Sequence, residues 1–384
     1  TTYTGASNGT MTDSDGLLKW KPHNLLPYSE DLAQWGNSAT TITGGQFNSL
    51  TGLSNATLVE TTGGINKIER AASASNPANT QYTYSVMAKA GTVSWLLMFD
   101  SGFSNSGSWF DLGSGALGTL QSSATSAEIT DLGDGWYQCS VTAQSTITRT
   151  TKFVIEVVDQ NNDTGAVDGE NLYIYGAHLY RSDLGGMVDN PSQPAGLETY
   201  VPTTSAAVYL PRTGNHVYNG SAWVNEGLLL ESEARTNLVT YSGDLAQWNV
   251  TGITAASATL SNGVGGTTFT QASSENFAVY DATNSAWITT DTAYDTASGV
   301  LPVRQAHTFT TPAGCTSVRL YVARATSTKH IWVIANGLTA GTIYTASFYH
   351  EENVGVNGVG GAQFEAGSTP SSYIPTAGAT VTRA

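Results

Sequence analysis

Residues 24–35 read NLLPYSEDLAQW, and residues 237–248 read NLVTYSGDLAQW. Nine of the twelve positions are identical, and the first copy differs from the second at Leu26, Pro27 and Glu30. Three shorter blocks recur around this stretch in the same order. GLL occurs at 16–18 and again at 227–229. GAHL at 176–179 corresponds to GAQF at 361–364, and YVPT at 200–203 corresponds to YIPT at 373–376. A repeat of this length predicts duplication of a whole domain rather than a short solenoid unit.

The segments between these blocks have the pattern of β-strands. Bulky and small residues alternate at 82–88, 137–141 and 317–322, with many β-branched and aromatic side chains. Period-two alternation of this kind is typical of strands with one buried face. Glycine- and asparagine-rich turns separate the strands, and helical periodicity is nearly absent. The sequence therefore predicts an all-β protein made of two tandem, jelly-roll-like β-sandwich modules that arose by internal duplication.

The repeated blocks also set the predicted domain boundaries. We expect an N-terminal arm with a leading strand at 1–23, a first β-sandwich module at 24–205, and a second module at 237–384. The join at 206–236 contains a hairpin pattern around Asn219-Gly220, a favoured tight-turn pair. The first copy is longer than the second, so it carries additional loop sequence on which binding residues are often found.

Composition excludes several kinds of partner. The chain has 384 residues, of which 15 are Lys or Arg and 30 are Asp or Glu, giving a net charge of −15. Its basic residues are scattered singly, which argues against nucleic-acid binding because a nucleic-acid surface needs a basic stripe. No stretch reaches the roughly 18 apolar residues that span a bilayer, so we expect no membrane insertion.

The two cysteines and the repeated polar residues have structural interpretations. Cys139 and Cys315 are far apart in sequence, and we interpret them as small apolar strand residues rather than a disulfide. Asn24 and Asn237 each precede an apolar pair, where an amide can bond to backbone groups at the start of a strand. The tryptophans at 35 and 248 are expected to close the end of a sandwich, with the indole N–H bonded internally.

Several blocks together resemble a family of bacteriophage virion proteins. The resembling residues are Trp109–Leu112, Gly118-Thr119, Asp134–Val141, Gly227–Glu231, Arg235–Leu238, Gly361–Gly367, Ser372–Thr376 and Thr380–Ala384. Members of the family are tail-fibre and capsid-associated proteins that carry carbohydrate-binding-like β-sandwich modules. The resemblance covers most of 16–205 and both ends of the second copy. Between Trp248 and Gly361 no equivalent of the Trp109–Leu112 block or the Asp134–Val141 block is found.

The resemblance implies a function and a location. It implies a structural component of the virion, such as a fibre, spike or decoration protein, assembled in the bacterial host cytoplasm. The expected partners are other virion proteins, further copies of the chain (a trimer above all), and a glycan of the host surface. The alternatives are a stand-alone glycan-binding module and, less favoured, a tailspike-type depolymerase.

Candidate site residues follow from the chemistry of sugars and cations. Aromatic faces stack on sugar rings, and we name Trp109 and Trp223 as candidate glycan-binding residues. Asp159, Asn161, Asp163 and Glu170 place side-chain oxygens with the alternation of a calcium loop, so Ca²⁺ is the one cofactor considered. A solvated hairpin loop is the default interpretation of the same residues, and the calcium site is the alternative. No catalytic constellation stands out, and we predict that the protein is not an enzyme.

Overall fold

The computed structural model describes residues 7–64, 66–194, 196–231, 233–269, 276–293, 302–324, 326–353 and 356–383. Over these residues the regular structure consists of thirty β-strands and two short 3-10 turns, and no α-helix occurs there. Within the same ranges no helix has the length and apolar character needed to cross a membrane. The all-β prediction is confirmed.

The chain divides into two compact units. The first is Pro22–Leu210, and the described part of the second consists of 7–21 together with 211–383. The segment 7–21 forms a hairpin in which β1 (Thr10–Thr12) pairs antiparallel with β2 (Leu18–Trp20). Within the second unit the Thr10 hydroxyl donates to the carbonyl of Tyr373 at 2.7 Å. Residues early in the sequence are thus part of the unit that is otherwise made from the end of the chain.

The first unit contains two six-stranded antiparallel sheets and a short accessory pair. Its strands are β3 (His23–Asn24), β4 (Gly36–Ser38), β5 (Thr40–Asn48), β6 (Leu53–Thr61), β7 (Lys67–Ala71), β8 (Thr80–Ala90), β9 (Trp95–Asp100), β10 (Ser108–Asp111), β11 (Ala116–Leu120), β12 (Ala124–Gly133), β13 (Trp136–Ser145), β14 (Lys152–Val158), β15 (Asn171–Arg181) and β16 (Val208–Tyr209). One sheet has the order β11-β10-β9-β14-β7-β4, and the other has the order β12-β13-β8-β15-β6-β5. The strands β3 and β16 form the accessory pair, and a 3-10 turn spans Leu32–Gln34.

The core of the first unit lies between its two sheets. Phe153, Ile155 and Val157 alternate along β14 and are buried in one cluster with Tyr84 and Val86 of β8. The rings of Tyr84 and Phe153, from opposite sheets, are 5.0 Å apart between centroids. Two sheets whose inner side chains interdigitate in this way form a β-sandwich. Cys139 is buried in the same core as a free thiol, and Cys315 is likewise free and buried in the second unit.

The second unit contains two five-stranded antiparallel sheets. Its remaining strands are β17 (His216–Tyr218), β18 (Trp223–Asn225), β19 (Arg235–Asn237), β20 (Asn249–Thr251), β21 (Ala255–Thr259), β22 (Gly265–Phe269), β23 (Asn276–Asp281), β24 (Ala286–Ala293), β25 (Val303–Thr310), β26 (Ser317–Arg324), β27 (His330–Asn336), β28 (Ile343–Asn353), β29 (Val356–Ala366) and β30 (Val381–Arg383). The sheets have the orders β20-β27-β26-β23-β24 and β21-β22-β29-β28-β25. Two pairs, β17-β18 and β19-β30, stand apart from the sheets, and a 3-10 turn spans Leu245–Gln247. Phe277 and Phe348, from opposite sheets, stack at 5.9 Å in a second sandwich core.

Corresponding strands have the same neighbours in the sheets of the two sandwiches, but the chain passes through them in a different order. In the first unit β7 lies between β4 and β14, and β8 lies between β13 and β15. In the second unit β27 lies between β20 and β26, and β28 lies between β25 and β29. The pair β7–β8 therefore corresponds in position to β27–β28. In the chain, however, β7–β8 precedes β9, whereas β27–β28 follows β26. The two blocks without a match in the second copy, Trp109–Leu112 and Asp134–Val141, lie at β10 and β13, outside this displaced pair.

Candidate functional site

Asn24 fastens the beginning of the first sandwich to its end. Its amide nitrogen donates to the carbonyls of Ala177 and Val201 at 3.0 and 2.8 Å. Its side-chain oxygen accepts from the backbone N–H groups of Leu26 and Leu179 at 3.0 and 3.1 Å. The side chain is fully buried, and these four bonds use its whole hydrogen-bonding capacity. The predicted bond from this amide to backbone at a strand start is confirmed.

Asn237 makes the same connections in the second sandwich. It donates to the carbonyls of Ala362 and Ile374 at 3.0 and 2.9 Å, and it accepts from the N–H groups of Val239 and Phe364 at 3.3 and 3.0 Å. The partners come from the repeated blocks at 361–364 and 373–376. The blocks that recur in the sequence are therefore the parts that meet where each sandwich closes.

A serine–tyrosine–threonine contact completes each closure. In the first unit the hydroxyls of Ser29 and Tyr200 are 2.8 Å apart, and the N–H of Thr203 donates to Ser29 Oγ at 2.8 Å. The second unit has equivalent contacts among Ser242, Tyr373 and Thr376, with the same two distances. We call each of these groups the closure clip of its unit.

The tryptophans of the repeat are buried beside the closure clips. Trp35 donates from Nε1 to the carbonyl of Tyr28 at 3.0 Å, and Trp248 donates to the carbonyl of Thr240 at 2.8 Å. Their predicted structural role is confirmed. Tyr28 and Tyr241 both adopt a left-handed backbone conformation, with φ of 57° and 52°. This conformation is uncommon for a bulky residue. Because it occurs at the same position of the repeat in both units, we interpret it as part of the closure of each sandwich.

Glu30 adds a carboxylate to the first closure clip. Its Oε1 accepts hydrogen bonds from the hydroxyls of Tyr175 at 3.0 Å and Tyr200 at 3.3 Å. Burial, with the adjacent carboxylate of Glu30, raises the pKa of Tyr175 and that of Tyr200 above the usual value, so both phenols remain protonated donors. The corresponding residue of the second unit is Gly243. The carboxylate is thus a feature in which the two copies of the repeat differ.

A pocket of about 480 Å³ opens beside Glu30. Asp31, which precedes the 3-10 turn, Tyr28 and Ile42 of β5 contribute to its wall. Neutral hydrogen-bonding side chains line much of the remainder, namely Ser54, Asn55, Thr57, Thr203 and Thr204. The guanidinium of Arg70 lies 4.8 Å from the centre of the Tyr28 ring. We call this cavity the Glu30 pocket.

At the equivalent position of the second unit, two segments of backbone approach each other closely. A Cβ on Gly265 would lie 2.7 Å from the carbonyl oxygen of Gly243, so these two glycines bring β22 directly against the closure. In the first unit the corresponding strand, β6, carries Asn55 and Ala56 on the wall of the pocket instead. The pocket therefore depends on residues that distinguish the first copy from the second.

The groups in the Glu30 pocket suit a neutral, hydroxyl-rich ligand. A carboxylate accepts hydrogen bonds, the amide of Asn55 both donates and accepts, and the threonine hydroxyls do either. The face of Tyr28 offers an apolar surface next to them. Pockets of a few hundred Å³ with a few convergent polar groups are typical ligand sites.

The candidate Trp109 lies on the outer face of the first sheet and is covered. It is 5% exposed and packs with Leu97 and Val158. Its Nε1 donates to the carbonyl of Asp163 at 2.7 Å, so the loop that follows β14 lies across the indole.

Polar groups of the calcium-like loop form hydrogen bonds with neighbouring strands of the first unit. Asn161 accepts from the N–H of Thr119 at 2.8 Å and donates to the Thr119 hydroxyl at 3.0 Å. Slight burial and a hydrogen bond with Asp159 raise the pKa of Glu170 above its usual value. The structure thus places Asp159 beside Glu170, while Asn161 and Asp163 bond to β10 and β11. In the described ranges, no group of three or more His, Cys, Asp or Glu side chains could hold a metal ion.

The candidate Trp223 begins β18 in the β17–β18 hairpin. It is half-buried, and its ring is 5.4 Å from that of Tyr218. Neither Trp109 nor Trp223 is among the residues that line the Glu30 pocket.

Sequence analysis did not identify the Glu30 pocket. One feature of the sequence could have indicated it, since Glu30 is one of the three positions at which the two copies of the twelve-residue repeat differ. Neither the scan against protein-family models nor the search of curated proteins finds a match for this chain.

Proposed function

We propose that the protein is a structural component of a bacteriophage virion and that its first unit contributes to attachment to a glycan of the host surface. The observation that carries the attachment role is the Glu30 pocket, an open cavity lined by hydroxyl, amide and carboxylate groups beside an aromatic ring. The resemblance of the sequence blocks to virion proteins supports the structural role. Other virion proteins and further copies of the chain, as a trimer, are the expected partners.

The shape of the site supports a sugar as the ligand. A pyranose has hydroxyls around its edge and C–H groups on its faces, and the Glu30 pocket offers partners for both. Two phenols hold the carboxylate at Oε1, so its orientation is set before a ligand arrives. Preorganisation of this kind lowers the entropic cost of binding.

The same closures support an origin by duplication of a jelly-roll-like ancestor. The asparagine and the closure clip have the same hydrogen-bond partners at equivalent positions of both units, and each buried tryptophan donates to a backbone carbonyl of its own copy of the repeat. The different chain order of β7–β8 and β27–β28 then implies that strands were rearranged after the duplication. A sugar site in the first unit fits this history, because one copy retained the structural role while the other gained a pocket.

A glycan array tests the attachment role. The native chain should bind neutral glycans of the host surface, and Glu30→Gln should weaken binding about tenfold, which corresponds to about 1.4 kcal/mol. Glutamine keeps the size of the side chain but removes the charged acceptor. The matched control is Glu128→Gln, which changes an exposed carboxylate on β12 and should leave binding unchanged. No glycan signal from the native chain would refute this role.

Two measurements test the structural role separately. Mass spectrometry of purified particles should detect the protein at a stoichiometry that is a multiple of three. Size-exclusion chromatography with light scattering should give a trimer, and a clean monomer at micromolar concentration would contradict it. Glycan binding by a protein absent from the particle would favour the stand-alone binding module.

A further inference from the structure

The sheet β20-β27-β26-β23-β24 of the second unit carries aromatic and arginine side chains on its outer face. Alternation along β26 puts Val318 and Leu320 in the core, so Arg319 and Tyr321 point away from it. Tyr280 of β23 is the cross-strand partner of both Arg319 and Trp287, and Trp332 of β27 is the partner of Tyr321. Cross-strand partners share a face, so these five side chains are neighbours.

Their rings form a closed circuit of contacts. Trp287 is 5.1 Å from Tyr280 and 5.5 Å from Tyr321, and Tyr321 is 6.2 Å from Trp332. The guanidinium of Arg319 lies 4.7 Å from the centre of Trp332 and 5.7 Å from that of Tyr280, which completes the circuit. We call this surface the aromatic–arginine face.

Arg319 holds a positive charge there without a carboxylate opposite it. In the described part of the chain it makes neither an ion pair nor a hydrogen bond, and its Nε is buried without a partner. A second guanidinium, that of Arg324, lies 4.9 Å from the Trp287 ring. In a chain with a net charge of −15, the guanidinium of Arg319 stacked on aromatic rings is a local positive charge on this surface.

In the first unit, a loop of the chain covers the corresponding outer face of the sheet. Its outer face is also aromatic, but the loop after β14 lies over it and bonds to Trp109. Trp109 is 5% exposed, whereas Trp287 is 43% exposed. The β26–β27 connection is short and leaves Trp287 open.

We propose that the aromatic–arginine face binds an acidic polysaccharide, one whose sugars carry carboxylate or phosphate groups. The apolar face of a sugar ring packs on Trp287, and the anionic substituent meets the guanidinium of Arg319. A planar guanidinium offers two parallel N–H donors to a carboxylate or phosphate. A nucleic acid has a phosphate for each base and needs a row of cations, whereas a polysaccharide repeat with one anionic group needs only the guanidinium of Arg319.

This site extends the proposed attachment role to the second unit and is independent of the Glu30 pocket. The pocket is tested with neutral glycans and with Glu30→Gln. The aromatic–arginine face is tested with acidic polymers and with changes in the second unit, so either proposal can fail while the other holds.

Affinity electrophoresis of the full chain provides the test. The probes are polygalacturonate, alginate and polyglycerol phosphate, with neutral dextran for comparison. We expect at least one acidic probe to retard the native protein while dextran does not, and the retardation to fall as salt is raised. Arg319→Gln and Trp287→Ala should each weaken binding at least about tenfold. Arg319→Lys should weaken it less, because the charge remains and the planar donor pair is lost.

The control removes an exposed aromatic side chain from elsewhere. Phe47→Ala changes a ring on β5 of the first unit that is 67% exposed, and it should leave the retardation unchanged. Circular dichroism of each variant establishes that it folds. The proposal is overturned if none of the three acidic probes binds the native chain, or if Arg319→Gln and Trp287→Ala bind as it does. A change of oligomeric state in these variants, without polymer binding by the native chain, would instead assign the face to protein–protein contact.

Discussion

At the scale of single residues, His178 is a buried group that ties the last strand of the first sandwich to its beginning. Its Nε2 donates to the carbonyl of His23 at 2.9 Å, and its ring packs 4.9 Å from that of Tyr180. Burial lowers the pKa of His178 to about 4, because no water is present to solvate an imidazolium ion. At the equivalent place the second unit has Gln363, a neutral residue.

His178→Gln should therefore remove a source of acid sensitivity. The folded protein keeps His178 neutral until about pH 4, whereas the unfolded chain binds a proton from about pH 6.5 downward. The stabilisation is complete above pH 6.5 and is lost as the pH falls to 4, a loss of about 3 kcal/mol. Urea unfolding at pH 7.5 and 4.5 should show this loss reduced in the variant. His216→Gln in the second unit serves as control, and an unchanged pH dependence in His178→Gln would contradict the interpretation.

Asn24 and Asn237 offer a matched pair of mutations. Alanine at either position leaves two carbonyls and two N–H groups unpaired in the interior, so we expect a cost of about 3–5 kcal/mol in that unit. Asn24→Asp should cost at least as much, although it conserves volume, because a carboxylate cannot donate to the carbonyls of Ala177 and Val201. Hydrogen exchange read by mass spectrometry should localise each effect to its own unit. Equal effects of Asn24→Ala in both units would argue against separate closures.

Glu30 shows where reasoning from the sequence reaches its limit at this scale. The repeat predicted the buried roles of Asn24 and Trp35, because both bond to backbone groups, which every residue of a partner strand supplies whatever its side chain. The partners of Glu30 are side chains 145 and 170 positions away. A contact between such distant side chains becomes visible only when the strands that carry them are placed side by side.

At the scale of the elements, β14 carries a carboxylate within an otherwise apolar strand. Glu156 is buried on the outer side of its sheet, as the cross-strand partner of Leu97. Burial raises the pKa of Glu156 to about 7, and the charge of Lys67 opposes the shift in part. A strand otherwise made of Val, Ile and Phe thus contains a group that resists ionisation.

Glu156→Gln should stabilise the protein at alkaline pH. Because the folded pKa lies above the unfolded value of 4.5, this carboxyl group contributes stability below pH 4.5 that is lost as the pH rises through 7. At pH 8 we expect the glutamine variant to be more stable than the native protein by about 3 kcal/mol, and at pH 4.5 to show almost no gain. Thermal unfolding at the two pH values measures the difference. Glu128→Gln, an exposed change, should have no such effect, and a pH-independent gain in Glu156→Gln would exclude titration as the cause.

Alternation predicted which segments are strands, but it did not predict their order in the sheets. The pairs β7–β8 and β27–β28 hold equivalent positions from different points of the chain. Each strand has the same in–out pattern whichever neighbours it has, so pattern alone leaves the topology open. The calcium-like loop is a similar case, because its alternating oxygens fit a cation or a neighbouring strand equally well. The structure shows the side-chain oxygen of Asn161 in the second role, while Asp163 bonds to Trp109 through its backbone carbonyl.

At the scale of the whole molecule, the units do not follow the order of the sequence. Trp20 and Trp35 are close in sequence and both are 3% exposed, yet Trp20 is part of the second unit and Trp35 of the first. Trp20→Ala should destabilise the second unit by about 3–5 kcal/mol, and Trp35→Ala should destabilise the first by a similar amount. Hydrogen exchange should rise in β28 for the first variant and in β8 for the second. Faster exchange of β8 in Trp20→Ala would contradict this assignment.

The hairpin β1–β2 also has a consequence during translation. It leaves the ribosome before Pro22–Leu210, although its partners, among them Asn262 and Tyr373, are synthesised last. At bacterial rates of about 5–20 residues per second, the chain from the hairpin to Tyr373 takes roughly 20–70 s to make. Throughout that interval the nascent hairpin exposes Met11, Leu18 and Trp20, which are buried in the finished protein. A chaperone that shields these side chains while the first sandwich folds would reduce aggregation among chains on the same polysome.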